Sequence, residues 1–142
     1  MATSGDHNKV RFGHDGHEYH FLWAARACLR LLPPTSTLVG VGIEGVASED
    51  DVACGLLGVD MSEYEGNTKF RHATRITYTQ YKHSTTAPNK NVTASSLKEE
   101  KVLEYFGGRY LGFLAKYNDD EIARKIRFQL ITNRPISRLR TH

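Results

Sequence analysis

An amide and an ammonium group stand two positions apart in the stretch from Arg75 to His83, at Gln80 and Lys82. The stretch is rich in β-branched and aromatic residues and contains no Gly or Pro, which predicts a β-strand. Because side chains alternate between the faces of a strand, Gln80 and Lys82 share one face. Asp60 lies in a second predicted strand, 58–64. A carboxylate on one strand beside an amide and an amine on the next could hold a divalent metal ion next to a phosphate.

Three acids are candidate metal ligands beside this pair. Asp60 is the most informative, because Asp is disfavoured in strands and a buried carboxylate is costly unless it is paired or binds a metal. Glu44 ends the predicted first strand, 38–44, where it is either an edge charge turned to solvent or a second acid facing the metal. Glu18 either completes a capping box with Asp15 or points from the first helix toward the sheet and its metal.

Polar and basic residues could contact a phosphate backbone in two regions. The loop 83–91 offers hydroxyls, an imidazole and ammonium groups, which either grip DNA or belong to a plain connector. Its candidates are His83, Ser84, Thr85 and Lys90. The stretch 123–142 carries six Arg or Lys and no acid, which suits either a polyanion or a solvated basic tail. The six cations are Arg124, Lys125, Arg127, Arg134, Arg138 and Arg140.

Length and composition indicate one globular domain. The chain has 142 residues, a formal net charge of +3 and ordinary hydrophobic and charged fractions of 39% and 25%. Cys28 and Cys54 stand in unlike contexts, so neither a zinc motif nor a disulfide framework is expected. The N-terminal residues are polar, unlike a secretory signal, and no apolar run approaches the ~18 residues of a membrane span. We therefore expect a cytoplasmic protein without a membrane partner.

Periodicity and capping signals predict the order helix, strand, strand, strand, helix, strand, after a loose arm at 1–13. The first helix, 15–32, carries an apolar stripe that we expect to be buried, and Glu18 lies on it. The second helix opens with a capping box at Ser96 and extends to Tyr117. The last strand covers 125–132. This order predicts a three-layer α/β fold with a mixed central sheet flanked by helices. The first-helix stripe comprises Leu22, Ala25, Leu29 and Leu32.

An acid on the opening helix, Asp on the second strand and Gln-x-Lys on the third resemble the PD-(D/E)xK nuclease superfamily, in the Gln-x-Lys variant of Mrr-type enzymes. A series of blocks resembles one family more closely, over about residues 13 to 137: the double-stranded DNA nuclease domains of CBASS antiphage effectors and those at the N-terminus of antiviral STAND NTPases (Avs proteins). The blocks are Gly16 to Arg26, Val59 to Tyr64, Gln80 to Thr85, Leu103 to Tyr110 and Thr132 to Ile136.

The resemblance implies a restriction-endonuclease-like fold and hydrolysis of phosphodiester bonds in DNA with Mg²⁺ or Mn²⁺. Carried over by position, Asp60 is the central metal ligand and Gln80 supplies a second ligand oxygen. Lys82 orients or helps to deprotonate the attacking water, and Glu18 corresponds to a helix acid used as an outer ligand. Glu44 matches no motif of the family. Arg134, in the last block, joins the loop residues as a DNA-binding candidate.

The same resemblance implies a nuclease domain at 14–142 that belongs to a larger effector and is active only after homo-oligomerisation through regions outside this chain. Two alternatives stay open at the level of the sequence. The fold could carry an inactive site and bind nucleic acid through its basic face, or the polar strand residues could be structural parts of an interaction domain.

Overall fold

The computed structural model of this chain describes residues 18–43 and 59–137. Within these ranges the chain forms one four-stranded sheet and four helices. The predictions for the arm 1–13, Asp15, Glu44, Cys54, Arg138 and Arg140 lie outside the described residues. The strands are β1 (Leu38–Ile43), β2 (Met61–Glu65), β3 (Arg75–Lys82) and β4 (Ile126–Thr132). The helices are α1 (18–29), α2 (Ala94–Glu99), α3 (Val102–Leu114) and α4 (Asp119–Lys125).

The sheet is mixed, as the order of elements predicts. Its strand order is β1-β2-β3-β4. β1 with β2 and β2 with β3 pair antiparallel, whereas β3 and β4 pair parallel. The parallel pair requires a crossover connection, which α2, α3 and α4 supply. The predicted three-layer α/β architecture with a mixed sheet is confirmed.

The larger core lies between the sheet and helices α3 and α4. Tyr64 of β2 and Tyr78 of β3 are completely buried there, together with Phe113 of α3 and Ile122 of α4. Ser62 and Tyr64 therefore face this side, whereas Met61 and Glu63 face the other, which confirms the alternation that the sequence predicts. The face of β3 that carries Tyr78, Gln80 and Lys82 is thus the one covered by α3 and α4.

Helix α1 covers the opposite face of the sheet, but with a different stripe from the predicted one. Ala27 packs against Met61 and Tyr81, and the rings of Tyr19 and Trp23 stand 6.2 and 6.3 Å from the Tyr81 ring. The predicted buried stripe is wrong, because its members are solvent-exposed. Two apolar stripes compete on α1, and the flat surface of Tyr81 accepts small Ala27 and two aromatic rings better than branched leucines. The exposed fractions are 71% for Leu22, 64% for Leu29 and 74% for Leu32, and Ala25 is exposed as well.

The single predicted helix 96–117 is two helices, which corrects the sequence-based expectation. Lys101 adopts φ 60° and ψ 13°, a left-handed conformation that ends α2 and redirects the chain into α3. The capping box also stands one turn earlier than predicted. Thr93 is the N-cap, its hydroxyl accepts from the Ser96 backbone N–H, and the Ser96 hydroxyl caps Thr93 in return.

Candidate active site

Asp60 stands directly before β2, opposite Gln80 of β3. Met61 pairs with Thr79 in the antiparallel register, so the next pair outward is Asp60 with Gln80. The Asp60 N–H donates to the Thr79 carbonyl at 3.2 Å, which holds Asp60 in line with the strand although it is the residue before β2. Two polar residues that are separate in the sequence are therefore cross-strand neighbours.

The Asp60 carboxylate has a structural partner as well. Its Oδ2 accepts a hydrogen bond of 2.6 Å from the backbone N–H of Tyr81. Ladder pairing between β2 and β3 stops at Met61 and Thr79, so this carboxylate satisfies a backbone donor where the two strands part. Such a bond to an ionised acceptor is strong and fixes the orientation of the carboxyl group.

Gln80 and Lys82 alternate with Tyr81 along β3, so they lie on the face covered by α3 and α4. They differ in accessibility: Gln80 is 2% exposed, whereas Lys82 is half-buried. Lys82 is the last residue of β3 and pairs with Thr132, the last residue of β4. The two residues of the Gln-x-Lys motif therefore occupy the carboxyl end of the parallel strand pair.

The start of the described part of α1 lies close to this end of β3, but Glu18 faces outward. The Tyr19 ring stands 4.5 Å from the His83 ring, centroid to centroid. Glu18 itself is exposed and lines a surface hollow with Phe21 and Leu22, on the side of α1 turned away from the sheet. The structure brings the backbone of Glu18 near the site without placing its side chain on the inner face of the helix.

The loop after β3 is fastened to the segment after β4. The side-chain amide of Asn133 donates to the Ser84 carbonyl, and its oxygen accepts from the Ser84 N–H, each at 2.9 Å. The Ser84 hydroxyl accepts from Ala87 N–H at 3.0 Å and so closes a local turn. Thr85 and Lys90 are exposed on the same loop. The loop after Lys82 is thus hydrogen-bonded to the segment after β4 and carries exposed polar side chains.

Arg134, another predicted DNA-binding residue, is only partly accessible. Its guanidinium donates to Glu100 Oε1 at 2.6 Å, and its side chain is only 9% exposed. The next residue, Pro135, accepts from Val92 N–H at 2.7 Å. Asn133 and Glu100, which the sequence-based prediction did not single out, thus join the end of β4 to the loop and to α2. The Asn-Arg-Pro turn signal is the sequence feature that marks this junction.

Part of the basic C-terminal stretch serves helix α4 and its surroundings. Lys125 donates to the carbonyls of Phe70 and Arg71 at 3.0 and 2.9 Å. Arg127 donates to the carbonyls of Ala123 and Ile126 at 3.0 and 2.9 Å, where the helix ends. Cations at this position stabilise the unpaired carbonyl groups of a helix C-terminus. These two charges are therefore explained by local structure.

Burial raises the pKa of two side chains near the site, Tyr81 and Glu63. Burial raises the pKa of the Tyr81 phenol, and the negative charges of Glu63 and Asp60 raise it further, so the ring stays neutral and donates to the Met61 sulfur at 3.2 Å. Burial likewise raises the pKa of Glu63, against the opposing charge of Arg30. Both residues face α1, away from Gln80.

The oxygen atoms of Asp60 and Gln80 are the type of ligand that Mg²⁺ takes, with water completing its shell. Among residues 18–43 and 59–137, no group of three or more His, Cys, Asp or Glu is placed to hold a metal ion. Asp60 and Gln80 together contribute one carboxylate and one amide, donor types that a hard cation accepts while it keeps several waters.

In the same ranges, none of the helices has the length and apolar character to cross a bilayer. A comparison with protein-family models finds no match, and a search of the curated proteins finds none either.

Proposed function

We propose that this protein is a metal-dependent DNA endonuclease. The observation that carries the proposal is the cross-strand pair of Asp60 and Gln80, with Lys82 one step further along the same face of β3. An acid, an amide and an amine then share one end of two neighbouring strands, with Asp60 and Lys82 partly exposed and Gln80 buried beside them. The resemblance to Gln-x-Lys nucleases adds the reaction class.

In this proposal each residue has a separate task. Asp60 and Gln80 supply oxygen ligands to Mg²⁺ or Mn²⁺, which when bound provides charge stabilisation and an activated water. Lys82 provides a cation beside the phosphate, where negative charge develops during hydrolysis. An amide in place of a second acid lowers the negative charge at the site by one, which weakens cation binding and makes Asp60 the dominant ligand.

Double-stranded DNA is the proposed substrate, held by the loop after β3. The candidates for contact with the phosphate backbone in this loop are His83, Ser84, Thr85 and Lys90. Arg134 contributes through its ion pair with Glu100, which fixes the segment that anchors this loop. Glu18 is proposed as an outer ligand only through a change of rotamer, because its side chain starts from the outer face of α1.

We also propose the wider setting that the resemblance suggests: an antiphage effector in the bacterial cytoplasm, in which oligomerisation through regions beyond this chain activates the nuclease. Mass action then controls cleavage, because two assembled copies act at a high effective concentration.

Plasmid cleavage tests the proposal. We expect nicking or linearisation of supercoiled plasmid DNA with Mg²⁺, measured for the protein alone and for a fusion to a dimerising coiled coil. Asp60→Ala and Lys82→Ala abolish cleavage, whereas Lys116→Ala, an exposed lysine beyond the end of α3, preserves it. Cleavage that survives in Lys82→Ala, or a dimerised wild-type protein that never cleaves, overturns the assignment.

A second candidate function is supported by the burial of Gln80, which is 2% exposed. A buried amide is a common structural element, so the same fold could bind DNA without cutting it. In that case DNA binding falls steeply with salt and is unchanged in Asp60→Ala, because phosphate contacts rather than a metal govern affinity. Loss of DNA affinity in Asp60→Ala with Mg²⁺ present contradicts this second function.

A further inference from the structure

A cleft of about 190 Å³ opens between α1 and the sheet, on the face opposite Gln80 and Lys82. One wall is formed by Trp23 and Arg26 of α1 together with Arg30, which follows the end of that helix. Glu63 of β2 lies in the floor, and Gln129 of β4 closes the far side. The cleft does not include any of the residues proposed for catalysis, so its chemistry can be considered separately.

The polar groups of this cleft are mainly hydrogen-bond donors. Arg30 uses one N–H on Glu63 Oε1 at 2.5 Å, which leaves the rest of its planar fork for another acceptor. The oxygen of Gln129 accepts from the Thr79 hydroxyl at 3.4 Å, so its NH₂ is the end that can donate into the cleft. Two guanidinium groups and one amide therefore surround a space whose single carboxylate is already paired.

The Glu63 carboxylate holds the Arg30 guanidinium in place through their ion pair. Glu63 is 8% exposed, whereas the Arg30 side chain is 56% exposed, so the buried carboxylate holds the inner end of a guanidinium whose outer edge faces the cleft. Arg26 is held from the other side, with its guanidinium carbon 5.1 Å from the centroid of the Trp23 ring. Both cations are thus oriented before any ligand arrives, which reduces the entropy lost on binding.

We propose that this cleft is a binding site for a phosphate monoester. Guanidinium groups match phosphate oxygens through two parallel hydrogen bonds, and the two guanidinium groups outnumber the single carboxylate of the cleft. The space is smaller than the roughly 300–1,000 Å³ of typical drug-sized sites, yet it exceeds what a bare phosphate fills. Its apolar lining, Met61, Ile131 and the Trp23 ring, suits the organic part of the ester.

Trp23 is the only tryptophan of the chain, so its fluorescence reports on this cleft alone. Titrations use inorganic phosphate, adenosine monophosphate and acetate at constant ionic strength. We expect saturable changes with the first two, tighter binding of the nucleotide because the apolar wall is then covered, and the weakest binding for acetate. Arg26→Ala and Arg30→Ala each lower the affinity about tenfold, as expected for the loss of a charged hydrogen-bonding partner.

Because Arg26 contacts Trp23, the variants are also measured by isothermal calorimetry, which does not depend on the fluorophore. Arg71→Ala is the matched control, an exposed arginine outside the cleft, and its affinity stays at the wild-type value. Arg30→Lys keeps the charge but loses the planar fork, so it binds more weakly than wild type. Circular dichroism verifies that each variant is folded.

The source of the phosphate is resolved by a short oligonucleotide with and without a 5′-phosphate. Preference for the phosphorylated form assigns the site to a DNA end, whereas equal binding of the two forms, weaker than that of the mononucleotide, assigns it to a free nucleotide. Acetate affinity equal to phosphate affinity, or folded arginine variants with unchanged affinity, overturns the proposal. Asp60→Ala retains phosphate binding, so failure of the nuclease proposal and failure of this one are distinguishable.

Discussion

The carboxylate of Asp60 accepts a hydrogen bond of 2.6 Å from the backbone N–H of Tyr81, at the point where β2 and β3 stop pairing. The residue proposed as the main metal ligand is therefore also an element of the sheet. Because a carboxylate has several lone-pair positions, the hydrogen bond of Oδ2 to the backbone is compatible with the proposed metal binding.

Replacement of Asp60 separates the two tasks. Asp60→Ala leaves the Tyr81 N–H without its acceptor and should lower the free energy of unfolding by about 1–3 kcal/mol. Asp60→Asn keeps an acceptor oxygen, so we expect a smaller loss of stability but the same loss of DNA cleavage. Urea unfolding of both variants measures the first effect and plasmid cleavage the second. If Asp60→Ala is more stable than wild type, burial of the carboxylate outweighs its hydrogen bond and the structural role is wrong.

The left-handed residue between α2 and α3 offers a test of backbone strain. Lys101 has φ 60°, a conformation that costs a residue with a side chain roughly 1–2 kcal/mol and costs Gly nothing. We expect Lys101→Gly to raise the free energy of unfolding by about 0.5–1 kcal/mol, after the greater entropy of unfolded Gly is subtracted.

Lys98→Gly is the matched control for this substitution, because Lys98 lies in the last turn of α2 with helical geometry. There Gly should destabilise by about 1 kcal/mol. Urea unfolding of the pair gives opposite signs when the left-handed conformation is the cause. Equal losses in both variants would mean that α2 and α3 form a continuous helix in solution.

Local periodicity predicted the sheet well because it depends on neighbouring residues alone. The alternation of β3 places Tyr78 and Gln80 on one face without knowledge of any partner, and the structure agrees. The buried side of α1 could not be predicted in this way. Leu22 and Ala27 both lie on apolar stripes of α1, and only the shape of the surface beneath them, set by Tyr81 from a distant strand, selects Ala27.

In the candidate site, too, local patterns predict some features, whereas others depend on contacts between distant residues. The sequence predicted Asp60 within a strand next to that of Gln80. The strand begins instead at Met61, and the register places Asp60, the residue before it, opposite Gln80. The pairing of Arg134 with Glu100 joins residues 34 positions apart, so no local pattern indicates it. Arg109 of α3 is similar: it is 2% exposed, with its guanidinium 4.4 Å from the Tyr78 ring centroid, although an arginine in a helix is ordinarily expected at the surface.

The raised pKa of the Glu63 carboxyl should make the stability of the protein depend on pH. Burial raises the pKa of this carboxyl above the ordinary value of 4.5, although Arg30 opposes this change. The folded protein then binds a proton more strongly than the unfolded chain, so stability falls as the pH rises from the unfolded pKa through the folded one. Two other charged residues lie near Glu63: Arg26 lines the same cleft and Glu65 belongs to the same strand. The negative charge of Glu65 raises the pKa of Glu63 further.

We therefore expect Glu63→Gln to lose this pH dependence. Relative to wild type, the variant gains stability as the pH rises from about 4 to 7, because an amide carries no charge that burial can penalise. Unfolding by urea at a series of pH values measures the difference. Glu99→Gln, on the exposed surface of α2, is the control, because it replaces a carboxylate that is not buried. A wild-type advantage that grows with pH would show that the Arg30 ion pair dominates instead.

The clamp between Asn133 and Ser84 predicts a local change in dynamics. Asn133 makes two hydrogen bonds of 2.9 Å with the Ser84 backbone, and they join the loop after Lys82 to the segment after β4. In Asn133→Ala the Ser84 N–H loses its acceptor, so its amide should exchange with solvent faster, by about tenfold for each 1.4 kcal/mol of lost protection. Plasmid cleavage should fall as well, since a mobile loop positions DNA less well.

Asn118→Ala separates this effect from a general loss of stability. Asn118 is the N-cap of α4 and accepts from Glu121 N–H at 2.8 Å, so its removal destabilises a helix by about 0.5–2 kcal/mol without touching the loop. Hydrogen exchange followed by NMR should show faster exchange of Ser84 only in Asn133→Ala, and faster exchange of Glu121 only in Asn118→Ala. Equal exchange of Ser84 in the two variants means that the loop is held by contacts other than this amide, and the proposed positioning of DNA by the clamp is then wrong.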